Sequence, residues 1–443
     1  MRRIIGIRHR WKDLAGSEGD DEGRKIEERP TRVTVSSGEG LKHYKLETET
    51  DELDFLLGRF VTRWRSLGDG ESTGDIFARH VIVEEKKGKP TGRTLVPESY
   101  EGFRTHDVVL MTLGGSGDRF AYALSRHGEE IHAEVFRIEP GKLKNERDFI
   151  GGKKEDDPKL LINLFEKSPS LFQLCGPRDR DQIRVASALQ ARQSAQDARK
   201  ATAQRLRQRL VGGIFLSDEG KYPEGKIEDV YKSAAANSVI LKSNQREEHE
   251  CDRKLKAVVT PLRVYREVFE PIEGCGHALA ARIIASVGDI RRFPTKEKFK
   301  AFCGVHVLGS NFKKMPPGTV RTDGDSVMPR HRRGQVSDWN PTSRQAFFLL
   351  GDQFNRRPHT LWGKKLLEVK ATFRAKYPEP LIGPNGKLRF TAGHIHKRAI
   401  WRTVTKFAED LYRTWRRIER EAQGQADEPL KKTAHAVSVS AGT

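Results

Sequence analysis

The sequence predicts three successive parts: an α/β domain, a helical arm, and a mainly α domain at the C-terminal end. Three observations carry this. Period-two apolar alternation over residues 31–36 and again over 41–48 flanks the turn Ser37-Gly38-Glu39-Gly40, which is the pattern of a hairpin at the edge of a half-buried sheet. Residues 178–210 contain no Gly or Pro and hold nine Arg/Lys against three Asp, with only a thin apolar seam. From about residue 260 the apolar positions recur at helical spacing, interrupted by Gly-rich turns.

Within the first part, Ile4-Ile5-Gly6-Ile7 is a short apolar strand. A charged loop is expected over 12–28, then the hairpin. Leu53, Leu56, Leu57, Phe60, Val61 and Trp64 follow at helical spacing. Residues 78–83 and 107–113 are expected as strands, 120–126 as helix, 131–138 as strand and 158–167 as helix. Three strands, a helix, then strands alternating with helices is the order of an RNase H-like fold. In the second part, Ile183, Ala186, Leu189 and Ala195, then Ala198, Leu206 and Leu210, suit either a coiled-coil arm or a solvated bundle helix. Residues 232–266 are expected to return as the second limb of a helical hairpin. The expected boundaries are 1–172, 173–258 and 259–421, with a small polar tail, 422–443, expected to be disordered.

Charge narrows the function. The 443 residues carry 81 Lys+Arg against 61 Asp+Glu, a formal net charge of +20, so a polyanion is the expected partner. No stretch is apolar for long enough to span a bilayer, and residues 1–10 do not form a secretory signal, so a cytoplasmic, nucleoid-associated prokaryotic protein with no membrane partner is expected. The four cysteines, Cys175, Cys251, Cys275 and Cys303, lack zinc-site spacing and are expected as ordinary thiols. No phosphate-binding P-loop, dinucleotide fingerprint or nucleophile elbow is present.

The most informative local signal is Gly274-Cys275-Gly276-His277. Leu262, Tyr265, Val268 and Phe269 form an apolar stripe before it, and Leu279, Ile283, Ile284 and Val287 form one after it. This is a helix-hairpin-helix pattern. Both glycines are expected at positive φ, and the turn N–H groups with the second helix N-terminus would receive a backbone phosphate. A plain helical hairpin with a glycine turn has the same pattern. Thr295 is an expected N-cap before Phe299 and Phe302. Residues 309–334 are a loop dense in Lys, Arg, Pro and Gly. Helices are expected over 344–354, 361–377 and 392–421, the last with eight Lys/Arg against three acids between Lys397 and Arg420. Arg398, Arg402, Arg413, Arg416 and Arg417 are candidates for phosphate contact. His394 and His396 suit a structural or phosphate-facing role better than a metal site.

The run from Glu273 to Phe293, continued by Phe299-Lys300-Ala301-Phe302-Cys303-Gly304-Val305, resembles the C-terminal domain of the DEDD-type insertion-sequence transposases. Their pattern is G-x-G-x-x-x-A-A-x-x-x-A-x-x-G-D-x-x-R-F followed by L-x-A-Y-x-G-L. The resemblance implies a Holliday-junction-resolvase type of RNase H-like domain, a coiled-coil arm and a transposase domain. It implies DNA recombination guided by an element-encoded bridge RNA, in a homodimer or tetramer. Acids of the first domain would hold Mg²⁺, and a serine of the last would attack the DNA phosphate and form a transient covalent link.

Several family positions differ here. Where the first strand of the family ends in G-I-D, this chain has Gly6-Ile7-Arg8. Where it has E-x-T-G, residues 109–114 hold no carboxylate. Its K-x-D-x-x-D-A corresponds to Lys154-Glu155-Asp156-Asp157-Pro158, which leaves Asp156 and Asp157 as catalytic and Mg²⁺ candidates, or as acids at a helix N-terminus. Asp13, Glu84 and Glu85 are further acids without supporting spacing. The nucleophile is expected at Ser326, followed by Arg330, Arg332 and Arg333, with Ser310 the alternative. Candidate nucleic-acid contacts are Gly274, Gly276, His277, Arg282, Arg330, Arg332, Arg333, Lys397, Arg398 and Arg402. The expected function is a transposase moving an insertion element. The alternatives are a DNA- or RNA-binding protein that keeps this fold without the chemistry, and a basic RNA-associated protein, which leaves the glycine hairpin unexplained.

Overall fold

The computed structural model describes residues 2–15, 25–86, 89–306, 339–382, 388–422 and 424. They fall into two compact units, residues 1–183 and 184–443.

The first unit runs β1 (Ile4–Arg8), β2 (Trp11–Ala15), β3 (Lys25–Arg29), β4 (Thr31–Ser37), β5 (Gly40–Leu46), α1 (Glu49–Leu56), β6 (Phe60–Ser66), β7 (Ile82–Lys86), β8 (Lys89–Glu101), β9 (Val108–Thr112), α2 (Asp118–Glu130), β10 (Glu134–Ile138), α3 (Pro140–Phe149), α4 (Asp157–Lys167) and β11 (Phe172–Leu174). Its main sheet has the order β11-β10-β9-β1-β4-β5. β1, β9 and β10 are parallel, and β4, β5 and β11 pair antiparallel with their neighbours. Both faces of these strands are covered, so β9, the middle one, runs Val-Val-Leu-Met without polar alternation. Val109 and Met111 pack on one face with Phe55 of α1 and Phe120 and Leu124 of α2. Val108 and Leu110 pack on the other with Leu143 of α3 and Leu160 and Leu164 of α4. Gly6 lies against the second face. A Cβ there would collide with the Pro158 carbonyl, so the bare position lets the start of α4 lie directly on β1.

Three expectations are corrected. The charged stretch 12–28 is not wholly a loop, because β2 and β3 pair there from Trp11↔Arg29 to Ala15↔Lys25. The stripe from Leu53 to Trp64 is not one helix. α1, capped by Thr48 and Asp51, ends at Leu57, Gly58 takes φ +71°, and Phe60, Val61 and Trp64 lie in β6. Residues 78–83 split into a 3-10 turn, Ala78–His80, and the start of β7, in a separate sheet of order β6-β8-β7.

The second unit is mainly α, and the helix that leads into it is long. α5 (Pro177–Phe215) is followed by α6 (Ile227–Asn237) and α7 (Val239–Val259). The expected return limb is therefore broken at Ser238, whose side chain caps α7 by accepting from Leu241 N at 3.3 Å. The α5–α7 seam is thin and polar: Asn244 donates to Thr202 at 2.8 Å, and Arg199 pairs with Glu248. After a single π turn at Tyr265–Phe269 come α8 (His277–Val287), α9 (Lys296–Phe302), α10 (Pro341–Arg356), α11 (Leu361–Lys376), the short β12 (Leu381–Ile382) and β13 (Leu388–Arg389), and α12 (Ala392–Ala422). Their core centres on Phe407, which meets Phe269, Phe347, Phe354 and Trp362 at centroid distances of 5.2–6.3 Å.

Candidate nucleic-acid interface

The hairpin forms as the glycine pattern predicts, with one difference. Gly274 alone takes positive φ, +83°, where a side chain would be strained. Gly276 is extended, at φ −69° and ψ 167°, and is the N-cap of α8 with no side chain capping the first turn. Its carbonyl starts the helix by accepting from Leu279 N and Ala280 N at 3.0 and 3.1 Å. The turn closes through Cys275 N, which donates to Ile272 O at 2.9 Å. Nothing lies within 4 Å of where a Gly276 Cβ would project, so this end of α8 is open for an anion.

His277 does not point freely into that opening. Its Nε2 lies 3.0 Å from Asp252 Oδ2, and Asp252 also pairs with Arg192. Burial works against the Asp252 carboxylate, but these two donors outweigh it and hold its pKa below the ordinary value. The histidine thus ties the hairpin to α7 and α5. Arg282 is half-buried and has no carboxylate partner among the described residues.

On α12, Lys397 and Arg402 are exposed and likewise have no acidic partner among the described residues. Arg398 lies over Phe373 and Phe390, at 5.4 and 5.1 Å from the ring centroids. Arg417 pairs with Glu267 at 2.9 Å, and Arg413 lies 3.9 Å from Glu409, so these two are partly neutralised. Among these candidates Lys397, Arg402 and Arg416 therefore have no acidic partner among the described residues, while Arg413 and Arg417 do.

The acids of the first unit have a different setting. Asp157 is fully buried at the start of α4. Arg147 Nη1 donates to both its oxygens at 2.9 Å, and Arg8 Nη1 lies 3.2 Å from Oδ2. Burial pushes the Asp157 pKa up, and the two guanidinium groups oppose that shift. Asp156 is exposed, and its Oδ2 accepts from Lys153 N at 3.0 Å. Among the described residues no three His, Cys, Asp or Glu side chains converge on a common point that could hold a metal ion. Mg²⁺ requires free carboxylate oxygens. A buried Asp157 already shared by two guanidinium groups, with Asp156 turned to its own backbone, does not fit that requirement. The side chains of Asp13 and Glu85 lie outside the described residues, and Glu84 faces Arg93 at 3.8 Å.

Residues 266–308 match the family model of the Transposase IS116/IS110/IS902 family. The hairpin and α9 thus lie in a segment similar to an insertion-sequence transposase domain. The match spans the open α8 N-terminus, Arg282 and the Thr295-capped α9, whose Thr295 accepts from Lys298 N at 3.3 Å. No curated protein matches the chain. A transposase domain implies DNA binding and transposition, and the family generally uses a divalent metal. Among the described residues no helix is long and apolar enough to cross a membrane. Ser326, Arg330, Arg332 and Arg333, and the alternative Ser310, lie outside the described residues.

Two groups of side chains escaped the sequence patterns. The first lies at the C-terminal end of β1, where ligands commonly meet parallel strands. His9 Nδ1 is 2.9 Å from Ser116 Oγ, and His9 Nε2 is 3.4 Å from Glu52 Oε1. Glu52 also accepts from Thr31 at 2.6 Å and from Arg10 Nε at 3.0 Å. Burial opposes its charge, yet these donors keep its pKa below the ordinary value. The second is Arg344, held between Trp339 and Trp401 at 4.9 and 5.1 Å. A cation five residues from one tryptophan and remote in sequence from the other gives no local signal.

Proposed function

We propose that this protein is a DNA recombinase of insertion-element transposition, cleaving and rejoining DNA strands. The observation that carries this reading is the transposase-domain match centred on an open, uncapped α8 N-terminus next to a free Arg282. Backbone N–H groups there would hold a DNA phosphate without reading sequence, and Lys397 and Arg402 would add salt-dependent contacts. Ser326 is the proposed nucleophile. Its Oγ would attack the DNA phosphorus, displace a deoxyribose oxygen and leave a serine phosphodiester that a second DNA hydroxyl resolves, releasing the serine. Arg330, Arg332 and Arg333 would offset the charge that develops on the phosphate.

The first unit is proposed to be RNase H-like. Its support is a sheet in which three antiparallel neighbours, β5, β4 and β1, are followed by parallel β9 and β10. The functional division is proposed as 1–172, 173–258, 259–421 and a tail, 422–443. A guide RNA from the element and assembly as a homodimer or tetramer, with the α5 arm as the interface, belong to the same reading.

A second reading has its own observation. Arg8 stands where the related family carries its first acid, and it pairs with Asp157. A guanidinium thus occupies the charge-balancing role that a divalent cation would have there. This favours a protein that binds DNA or RNA on the same scaffold without metal-dependent cleavage by the first unit. One experiment separates the two: cleavage and joining of an element-end duplex, with flanking RNA and Mg²⁺, by wild type, Ser326→Ala and Asp156→Asn. Covalent DNA–protein product with wild type and none with Ser326→Ala supports the recombinase. Tight binding with no cleavage by the wild type supports the binder. Loss of cleavage in Asp156→Asn, restored by raised Mg²⁺, would return Asp156 to a metal role.

A further inference from the structure

We infer that Arg344 is a binding site for a backbone phosphate of DNA, held ready by a cage of two tryptophans. This rests on the transposase reading and adds to it a site outside the matched segment.

The cage is built by local structure. Asn340 caps α10, its side chain accepting from Ser343 N at 2.9 Å, and its own N–H donates to Phe302 O at 2.8 Å. That fixes the first turn of α10, and Arg344 with it, beside the end of α9. Gly304 completes the wall. A Cβ there would come within 2.7–2.8 Å of the Trp339 ring and 3.1 Å of Arg344 Cδ, so the missing side chain is the space in which indole and arginine stem pack. On the other side, Thr405 Oγ1 donates to Val305 O at 2.7 Å and holds α12 against this segment. Trp401, one turn earlier on the same helix face, covers the guanidinium and is itself backed by Phe348 at 5.7 Å.

What the cage lacks is a counter-charge. Arg344 Nη1 is buried and has no hydrogen-bond partner among the described residues. Among the described residues no carboxylate approaches the group, and burial shifts its pKa downward. Several other buried or part-buried guanidinium groups are neutralised: Arg3 by Asp107 and Glu101, Arg137 by Asp118, Arg147 by Asp157, and Arg180 by Glu129. Tryptophan faces attract a cation but accept no N–H···O bond in its plane. A half-buried guanidinium with no carboxylate beside it is costly to keep, and the part of it still exposed gains most from an anion with adjacent oxygens that can take two donors at once. A phosphodiester is such an anion. The exposed Lys397, one turn from Trp401 on α12 and without an acidic partner among the described residues, supplies a second cation for the same strand.

The test uses the full chain, a fluorescent DNA duplex of arbitrary sequence and a salt titration, for wild type, Arg344→Met, Arg344→Lys and the control Arg356→Gln. Arg356 is an exposed arginine paired with Asp352. Each phosphate contact contributes about 0.9 to the slope of log K against log salt. The inference expects Arg344→Met to lower that slope by about 0.9, Arg344→Lys to keep most of it, and Arg356→Gln to leave it unchanged. It also expects Arg344→Met to melt at or above the wild-type temperature, since the variant removes an uncompensated buried charge. Wild-type affinity and slope in folded Arg344→Met overturn the inference. Should Arg344→Met fail to fold, Arg344→Gln serves in its place: a slope lowered by about 0.9 in folded Arg344→Gln supports the inference, and wild-type slope and affinity in it overturn the proposal. A wild-type protein that binds no duplex overturns the transposase reading itself, a result distinct from a silent Arg344 variant.

Discussion

Replacing Asp157 by alanine removes the one carboxylate that serves both Arg8 and Arg147. The aspartate is fully buried, and the side chains of Arg147 and Arg8 are 12% and 21% exposed. Breaking a buried pair by deleting one partner costs about 3–5 kcal/mol, because the remaining charge stays desolvated. Here two cations are left behind, although Arg8 can turn partly to solvent, so about 3–5 kcal/mol is the expected loss. For a unit of this size that corresponds to a fall of roughly 6–20 °C in melting temperature. The assay is thermal and denaturant unfolding of the full chain, read by circular dichroism, with the lower transition assigned by limited proteolysis. Arg8→Met should cost less, because Arg147 still donates to both oxygens. Acids gathered to hold a cation repel one another when it is absent, so a metal-ligand Asp157 would leave stability unchanged or raised on substitution. A loss below about 1 kcal/mol would therefore refute the ion-pair argument. Its pH dependence has a definite sign. The folded pKa of Asp157 is raised by burial, so stability falls as pH rises from the ordinary carboxylate pKa through the folded value; the two ion pairs limit that fall without reversing it, and the alanine variant reads the loss of those pairs.

Further outcomes follow from the same geometry. Arg8→Asp should place two carboxylates against one Arg147, lowering the melting temperature in EDTA, with partial recovery in MgCl₂; equal melting in both media would count against recreating a cation site this way. Gly274→Val should strain the φ +83° turn, cost about 1–2 kcal/mol and weaken duplex binding several-fold, whereas Gly276→Ala, at an open and extended N-cap, should cost less, about 0.5–1 kcal/mol, and leave duplex binding nearly unchanged; equal effects of the two on binding would contradict the turn argument. Asp252 and Glu52 have depressed pKa values, so the stability they supply is complete above the ordinary carboxylate range and lost as pH falls through their folded values. Acid unfolding of Asp252→Asn and Glu52→Gln should accordingly show a shallower slope than that of the wild type.

Elements with strong periodicity were legible in the residues alone. The hairpin of β4 and β5, the long α5, α8 and the basic α12 all appear where alternation or helical spacing puts them. The stripe after Leu53 misled because its helical spacing crosses a chain reversal at Gly58. In α1 the apolar Leu53 is exposed while Glu52 and Asp54 are buried. Those acids are held by Arg10 and Thr31 in one case and Arg79 and His80 in the other, partners that lie on other elements. Local hydrophobicity cannot report such long-range polar networks. The same holds for Arg8 and Asp157: the departure from G-I-D was visible, but its pairing across 149 positions depends on Gly6 admitting the start of α4 onto β1. In the hairpin, spacing located both glycines and could not distinguish the one that needs positive φ from the one that caps a helix.

The most direct test of the central claim is mobility of the element in cells. The gene with its flanking sequence is placed on a donor plasmid, and newly formed element junctions are amplified and sequenced for wild type and for Ser326→Ala at matched protein level. The account predicts junctions from the wild type and none from Ser326→Ala, with both proteins still binding element-end DNA. Junctions at equal frequency from both would contradict the serine mechanism. No junctions from a folded, DNA-bound wild type would contradict the recombinase itself.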